Sequence, residues 1–432
     1  MKVTVIGGGL AGCEAALQLA NSGVKVWLVE CKPIVMSPAH QSENLAEIVC
    51  SNSFKSNDIN TASGLLKEEL RRLDCKLIAV ADSCAVNAGG ALAVDREKFS
   101  QAVTKLISSH PNITIKQEEA EGFYEGVNIV ATGPLTSDKF LKVLKKHSGD
   151  LLYFFDAAAP IIAADSIDIE KAFISDRYQK GTGDYINCPL SEEEFFAFWQ
   201  QLINAKTAVV KDFEKNAIFE GCMPIEVMAS RGKDTIRFGP LKPVGLIDPK
   251  TGKRPYAVVQ LRKENAKGDM YNLVGFQTHL TFGEQQRVFR LIPALKDAEF
   301  LRYGVMHKNI FINSANLLDN AFALKSDKNI YFAGQITGVE GYVESIASGL
   351  VTALNCFRRQ KNLTDVHLGD NTIIGCLSRY ITTPNEYFQP MNANFGLLPP
   401  LTENIRDKKQ KKEMYANRSL KEIEEIIENI GV

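Results

Sequence analysis

Glycines and an acid near the start of the chain carry the first recognisable chemistry. Gly7, Gly9 and Gly12 stand in G-x-G-x-x-G register within IGGGLAGCEAA, directly after the apolar Val3, Val5 and Ile6. In such a turn the first glycine permits a sharp bend, the second lets backbone N–H groups approach a pyrophosphate, and the third lets a helix pack close to a sheet. Gly8, Leu10 and Ala11 complete the turn. A helix starting here would aim its unsatisfied N–H groups and positive dipole end at phosphate. Glu30, at the end of the segment from Lys25 to Val29, is placed to accept hydrogen bonds from a ribose 2′-OH and to repel a 2′-phosphate. The pattern predicts a site for FAD or NAD rather than NADP.

Thiols supply the second kind of chemistry. Cys13, Cys31, Cys50, Cys75, Cys84, Cys188, Cys222, Cys356 and Cys376 are irregularly spaced and include no C-x-x-C pair. This argues against zinc ribbons and dithiol oxidoreductases, and no metal site is expected. Most of these residues read as reduced, buried, small hydrophobes, and one or two as chemical. Cys50, between an apolar pair and a Ser-Asn-Ser turn in IVCSNSF, reads on its own as a buried thiol under a loop. Arg96, in NAGGALAVDREKFS, reads either as a surface cation or as a phosphate and flavin contact.

The elements that must hold these residues follow from the periodicity. A strand, the glycine turn, a helix from Cys13 to Asn21 stopped by Gly23, and a second strand ending in Glu30 form one unit. A long loop with two prolines then leads to a helix beginning near Asn60, and a Gly-Gly bend and strand precede a helix from Glu97 to Ser108. Gly126 to Gly133 reads as a buried strand ending in Thr-Gly. FAGQITG forms a third strand end, with Gly334, Gln335 and Gly338 leading into a helix from Tyr342 to Cys356. Three such ends suit a doubly wound flavin fold. Between about Asp184 and Asn320 the texture changes to clustered Pro, Gly, Arg and aromatic residues with short strand-like runs, Tyr256 to Leu261 and Tyr271 to Phe276. The expected architecture is α/β: a discontinuous Rossmann-like FAD-binding domain over 1–185 and 321–432, with a smaller α+β domain inserted at 186–320. The chain turns basic in RDKKQKKEMYANR and then helical in SLKEIEEIIENI, with Ile423, Ile426, Ile427 and Ile430 on one face.

Composition sets outer bounds. With 432 residues, 45% hydrophobic and 23% charged, the chain reads as an ordinary globular protein of two domains or one large domain with an insertion. A formal net charge of −1 means that a nucleic-acid partner would need a local basic patch. No apolar run approaches the roughly 20 residues needed to span a bilayer, so no membrane association is expected and the cytoplasm is the expected compartment.

Longer motifs sharpen this reading. IGGGLAGCEAA, PAHQSENLAEIVCSNSF, AGGALAVDREKFS, FDAAAPI, FEGCMPIEVMASRGKDTIRFGPLKPVGL, YNLVGFQTHLTFGEQQRVFRLIP and FAGQITGVEGYVESIASG run almost the length of the chain. On these motifs the chain closely resembles the folate- and FAD-dependent RNA (uracil-5-)-methyltransferases, the TrmFO family. The resemblance implies formation of 5-methyluridine in the T-loop of tRNA, with methylenetetrahydrofolate as carbon donor, FAD as one-carbon carrier, and NADH or NADPH as reductant. Carbon 5 of uracil is not nucleophilic until something adds to carbon 6, a task that suits a thiolate. The family's nucleophile is the Cys of G-C-M-P-I-E, here Cys222. Its second functional Cys, in C-S-N-S, is here Cys50, which takes the proton from carbon 5.

Other positions carry over one at a time. Gly7, Gly9, Gly12 and Glu30 match the family's FAD fingerprint, and Arg96, Gly334 and Gln335 match motifs near the flavin. His279 corresponds to an imidazole that stacks on the pterin, and Tyr342 to a ring near the same place. Arg231, Arg237, Lys242 and Arg262, close to Cys222 in the inserted domain, are expected to hold RNA phosphates. The chain departs from the family at Phe282, where Trp is common, and at Cys13, where Ser is common. Alternative readings are the same chemistry on large-subunit rRNA, an FAD protein that aminomethylates the tRNA wobble uridine, and a non-catalytic RNA-binding flavoprotein.

Overall fold

The computed structural model describes residues 2–37, 39–149, 151–179, 183–208, 223–386, 388–403 and 405–430. Buried Val3, Val5 and Ile6 form the strand Lys2–Ile6, which is central in a five-stranded parallel sheet. Its neighbours are Lys25–Glu30 on one side and Val127–Val130 on the other, with Ile113–Gln117 and Ile330–Phe332 at the edges. The inner strands are buried on both faces, as a parallel sheet covered by helices requires. The chain order reverses about Lys2–Ile6, so the carboxyl ends of this strand and its neighbours frame a crevice where ligands of such folds bind.

The helix over Leu10–Asn21 begins three residues before the expected start and packs against the helix Tyr342–Gln360. An added methyl at Gly349 would sit 2.3 Å from the Ala11 carbonyl oxygen, so the two backbones nearly touch. Distant helices are tied by buried carboxylates. Glu14 accepts the N–H groups of Lys76 and Leu77 at the start of Lys76–Ser83, and Glu69 accepts those of Ile373 and Ile374 at the start of Ile373–Thr382. A carboxylate at a helix N-terminus meets both orphan donors and the positive dipole end.

A second body is built on a six-stranded sheet in the order Phe173–Ile174, Tyr185–Leu190, Ala257–Lys263, Met270–Leu273, Ile161–Ala163, Phe300–Arg302. All its pairings are antiparallel. Its apolar core runs from Ala159 to Ala298 and includes Ile162, Ile167 and Ala172, whereas Phe311, Ile312 and Leu318 belong to the core of the first body. The inserted unit therefore begins and ends earlier than the expected 186–320. Strands Leu152–Ala157 and Met306–Phe311 pair with each other where the chain leaves and re-enters the first body.

The last helix spans Lys408–Ile430, so all of the basic run but Arg406 and Asp407 lies within the helix and not ahead of it. Tyr415, Ala416, Ser419, Leu420 and Ile423 are buried, while Ile426, Ile427 and Ile430 pack at the core's margin. Among the described residues no helix is long and apolar enough to cross a membrane.

Candidate active site

The glycine turn is shaped by what each added methyl would meet. At Gly7, with φ of +109°, it would lie 2.4 Å from the Ala131 carbonyl oxygen, and at Gly12 it would lie 1.9 Å from that of Gly7. Gly9 is different: a methyl there would meet no atom of the described residues within 4 Å. The first intrahelical bond runs from Cys13 N–H to Gly9 O, so the N–H groups of Leu10 and Ala11 have no intrahelical partner. Open space at Gly9 beside a helix N-terminus is the arrangement a pyrophosphate needs. Gly8 N–H donates to Glu30 Oε2 at 2.7 Å, and Lys32 N–H to Glu30 Oε1 at 2.9 Å. Glu30 thus braces the turn from the end of the neighbouring strand. Gly334, at the end of Ile330–Phe332, faces the same helix, since a methyl there would lie 2.8 Å from the Ala11 side chain. Gln335 and Gly338 continue that turn, which Gly338 closes in the left-handed conformation.

Cys50 lies on a loop gripped from several elements. Its backbone N–H and that of Ser51 both donate to the Tyr342 hydroxyl, at 2.8 and 3.1 Å. Burial, and then the neighbouring Cys50, push the Tyr342 pKa far up, so the hydroxyl stays neutral. Arg96 donates to the carbonyls of Ile48 and Cys50 at 2.8 and 3.1 Å and pairs with Glu264. These contacts occupy the guanidinium on protein acceptors and make Arg96 a brace of the Cys50 loop. Arg262, expected to hold RNA phosphate, is only 7% exposed and donates to Asn52 Oδ1 at 3.0 Å and Ser51 Oγ at 2.7 Å. Expected as a phosphate contact, Arg262 is instead enclosed beside the Cys50 loop, with Nε and Nη2 committed to that loop.

Gly221 and Cys222 lie outside the described residues, but Met223 to Glu226 of the motif are placed. Met223 is buried, Ile225 N–H donates to Gln277 O at 2.7 Å, and Glu226 accepts from Thr278 Oγ1 at 2.8 Å and His279 N–H at 2.9 Å. His279 Nδ1 stands 2.8 Å from Glu226 Oε1 but off the line of a hydrogen bond. On the other side Ala208 N–H donates to His279 O at 2.8 Å. Chain segments on both flanks of 209–222 are therefore fastened to the His279 segment. The Cys50 and His279 regions meet across the Ala157–Ala158 backbone, where Cys50 Sγ is 3.9 Å from Ala157 O and Thr278 N–H donates to Ala158 O at 3.3 Å. This juxtaposition brings the Cys50 loop next to the His279 segment, to which Ile225 and Glu226 of the second thiol's motif are bonded.

The remaining expected cations lie elsewhere on the second body. Arg231 and Lys242 are exposed there. The Arg237 guanidinium stacks on Tyr256, 4.0 Å from the ring centroid, with Phe238 beside it. Three residues that sequence reasoning did not single out, Glu226, Asn52 and Glu264, prove to be the partners that fix His279, Arg262 and Arg96. The first two sit inside the thiol motifs, four residues after Cys222 and two after Cys50, and that proximity was the available signal.

Residues 2–364 match the model of the family described as GIDA, glucose inhibited division protein A. The fold is similar to that of Aquifex aeolicus GidA, with a TM-score of 0.71 over 98% of this chain and 73% of that one at 16% identity. The chain is 54% identical over 430 residues, 99% of each chain, to the methylenetetrahydrofolate–tRNA-(uracil-5-)-methyltransferase TrmFO of Halalkalibacterium halodurans. It is 55% identical over 99% of each chain to the protein of that name from Enterococcus faecalis, and 56% identical over 98% of each to that from Acetivibrio thermocellus. With glycine turn, thiol loop and His279 segment arranged as described, this chain belongs to the GidA family and, within it, to the TrmFO family.

Proposed function

We propose that this protein methylates carbon 5 of a uridine in the T-loop of tRNA, with methylenetetrahydrofolate as carbon donor and NADH or NADPH as reductant. The observation that carries the reading is the meeting of the Cys50 loop and the His279 segment at Ala157–Ala158, in a chain 54% identical over its length to named TrmFO enzymes.

FAD fits the first body. Gly9 leaves the space, Leu10 and Ala11 offer N–H groups to its pyrophosphate, Glu30 stands at the ribose, and Gly334 lies at the facing strand end. Bound there, FAD would carry the one-carbon unit and the reducing equivalents. The protein's own part is thiol chemistry and positioning. The Cys222 thiolate adds to carbon 6 of the uracil, which makes carbon 5 nucleophilic. Once carbon 5 has received the one-carbon unit, Cys50 removes its proton; with the unit reduced from methylene to methyl by the two-electron equivalent that bound FAD would supply, loss of the Cys222 sulfur from carbon 6 restores the ring. His279, whose backbone N–H is held by Glu226, would stack on the pterin. Arg231 and Lys242 are exposed cations that can meet RNA phosphates. The same reading places the protein in the cytoplasm.

Parallel incubations with methylene-labelled methylenetetrahydrofolate, NADH and either unmodified tRNA or unmodified large-subunit rRNA test this, with nucleoside mass spectrometry as readout. Labelled 5-methyluridine in the T-loop is expected. Label in large-subunit rRNA but not in tRNA would replace the substrate, and label in neither would remove the activity.

A further inference from the structure

Arg262 is the largest departure from what its residue type suggested, and its surroundings give it a different task. A guanidinium is costly to bury unless its donors are met, and here two of its nitrogens find acceptors outside its own sheet. The strand Ala257–Lys263 belongs to the second body, yet the Arg262 side chain reaches the Cys50 loop of the first, donating to Ser51 Oγ and Asn52 Oδ1. Asn52 is fully buried, and its amide nitrogen donates to Val94 O at 3.1 Å and Lys263 O at 2.8 Å. Its carbonyl oxygen is therefore directed at Arg262 by bonds on its opposite side. Two residues further on, Glu264 holds Arg96, which holds the carbonyls of Ile48 and Cys50.

We infer that Arg262 is a positioning residue for Cys50: it sets where the thiol stands relative to the second body, which carries the Cys222 motif. Residues 262 and 264 of one strand end grip the loop on both sides of Cys50, while Tyr342 grips its N–H groups from the first body. The loop has turn-forming residues and no strand ladder of its own at Cys50. Its geometry is consequently imposed by side chains from both bodies. The inference rests on the proposed function for its kinetic readout only.

The test compares wild type with Arg262→Ala, Arg262→Lys and Ser51→Ala. Four quantities are measured: flavin absorbance per protein, tRNA affinity at two salt concentrations, kcat and KM, and the rate of Cys50 alkylation by iodoacetamide, read by peptide mass spectrometry. For Arg262→Ala the expected result is unchanged flavin, unchanged tRNA affinity and salt slope, kcat lower by roughly 10- to 100-fold, and a Cys50 alkylation rate shifted by about twofold or more. Arg262→Lys should recover part of the kcat, because an ammonium can still reach Ser51 Oγ but cannot serve both acceptors as a planar fork does. A raised KM with unchanged kcat, together with a salt slope smaller by about one, would instead make Arg262 a phosphate contact and overturn the proposal. Unchanged kcat and alkylation would also overturn it. Should Arg262→Ala fail to fold, Ser51→Ala decides: it removes one acceptor only, and wild-type turnover in it contradicts the inference. If wild type itself shows no turnover with tRNA, the proposed function fails, and the alkylation comparison alone judges Arg262.

Discussion

The hydroxyl of Tyr342 accepts the backbone N–H of Cys50 at 2.8 Å, joining residues 292 positions apart in the chain. Tyr342 opens the helix that packs on the glycine-turn helix, so this bond connects the thiol loop to the element that also frames the dinucleotide crevice.

Tyr342→Phe removes that acceptor while keeping the ring, whose centroid lies 5.7 Å from that of Phe54. The N–H groups of Cys50 and Ser51 then lose their partner, at a cost of about 1–3 kcal/mol in stability. Turnover should fall by roughly 10- to 100-fold, because the loop that aims the thiol is loosened. Flavin content should not change. Chemical denaturation and steady-state kinetics check both parts, and wild-type values in both would show that the hydroxyl has no such role.

Gly9 and Gly12 of the turn should respond differently to the same methyl group. Gly12→Ala places a Cβ 1.9 Å from the Gly7 carbonyl oxygen and should destabilise the fold by about 1–3 kcal/mol or more. Gly9→Ala meets no atom of the described residues within 4 Å, so the melting temperature without cofactor should be unchanged. FAD affinity should drop in that variant, since the methyl enters the space assigned to phosphate. Equal loss of stability in both variants would contradict the assignment of Gly9 to ligand space.

Why the turn could be read from sequence, while other features could not, is a matter of distance along the chain. Gly7 to Glu30 is a local unit in which strand, turn, helix and acid follow one another, and periodicity marks each part. The boundary of the second body was misplaced because Ile161–Ala163 is a three-residue strand defined only by pairing with Met270–Leu273 and Phe300–Arg302. Nothing local in Ile-Ile-Ala announces that partnership. Arg262 and Arg231 are likewise alike as letters. One is buried against Ser51 and Asn52 and the other lies exposed, and only the fold separates them. The motif around Cys50 announced a functional loop without revealing that its conformation depends on Tyr342, Arg96 and Arg262.

Glu69 should make stability depend on pH. Burial pushes its carboxyl up to about 7 from the usual 4.5, although Ser419 and the N–H groups of Ile373 and Ile374 favour the ionised form. Between those two values the folded chain keeps a proton that the unfolded chain has released, so stability falls as pH rises through the window. Relative to Glu69→Gln, the wild type should lose up to roughly 3 kcal/mol between pH 4.5 and 7, because each tenfold change in proton affinity is worth about 1.4 kcal/mol. Thermal melts of both proteins across that range measure it. Parallel profiles would mean that the helix N-terminus keeps Glu69 ionised despite burial.

The division of labour between the two thiols is the centre of the account, and one experiment addresses it directly. Wild type, Cys222→Ala and Cys50→Ala are incubated with tRNA, methylenetetrahydrofolate and NADH and resolved on denaturing gels. Cys222→Ala cannot add to carbon 6, so it should give neither product nor a covalent RNA adduct. Cys50→Ala can still add and accept the carbon unit but lacks the base for carbon 5. A slow-migrating protein–RNA species should therefore accumulate while turnover falls by roughly 10²–10⁴. An adduct in Cys222→Ala but not in Cys50→Ala would reverse the roles, and wild-type turnover in either variant would contradict the account.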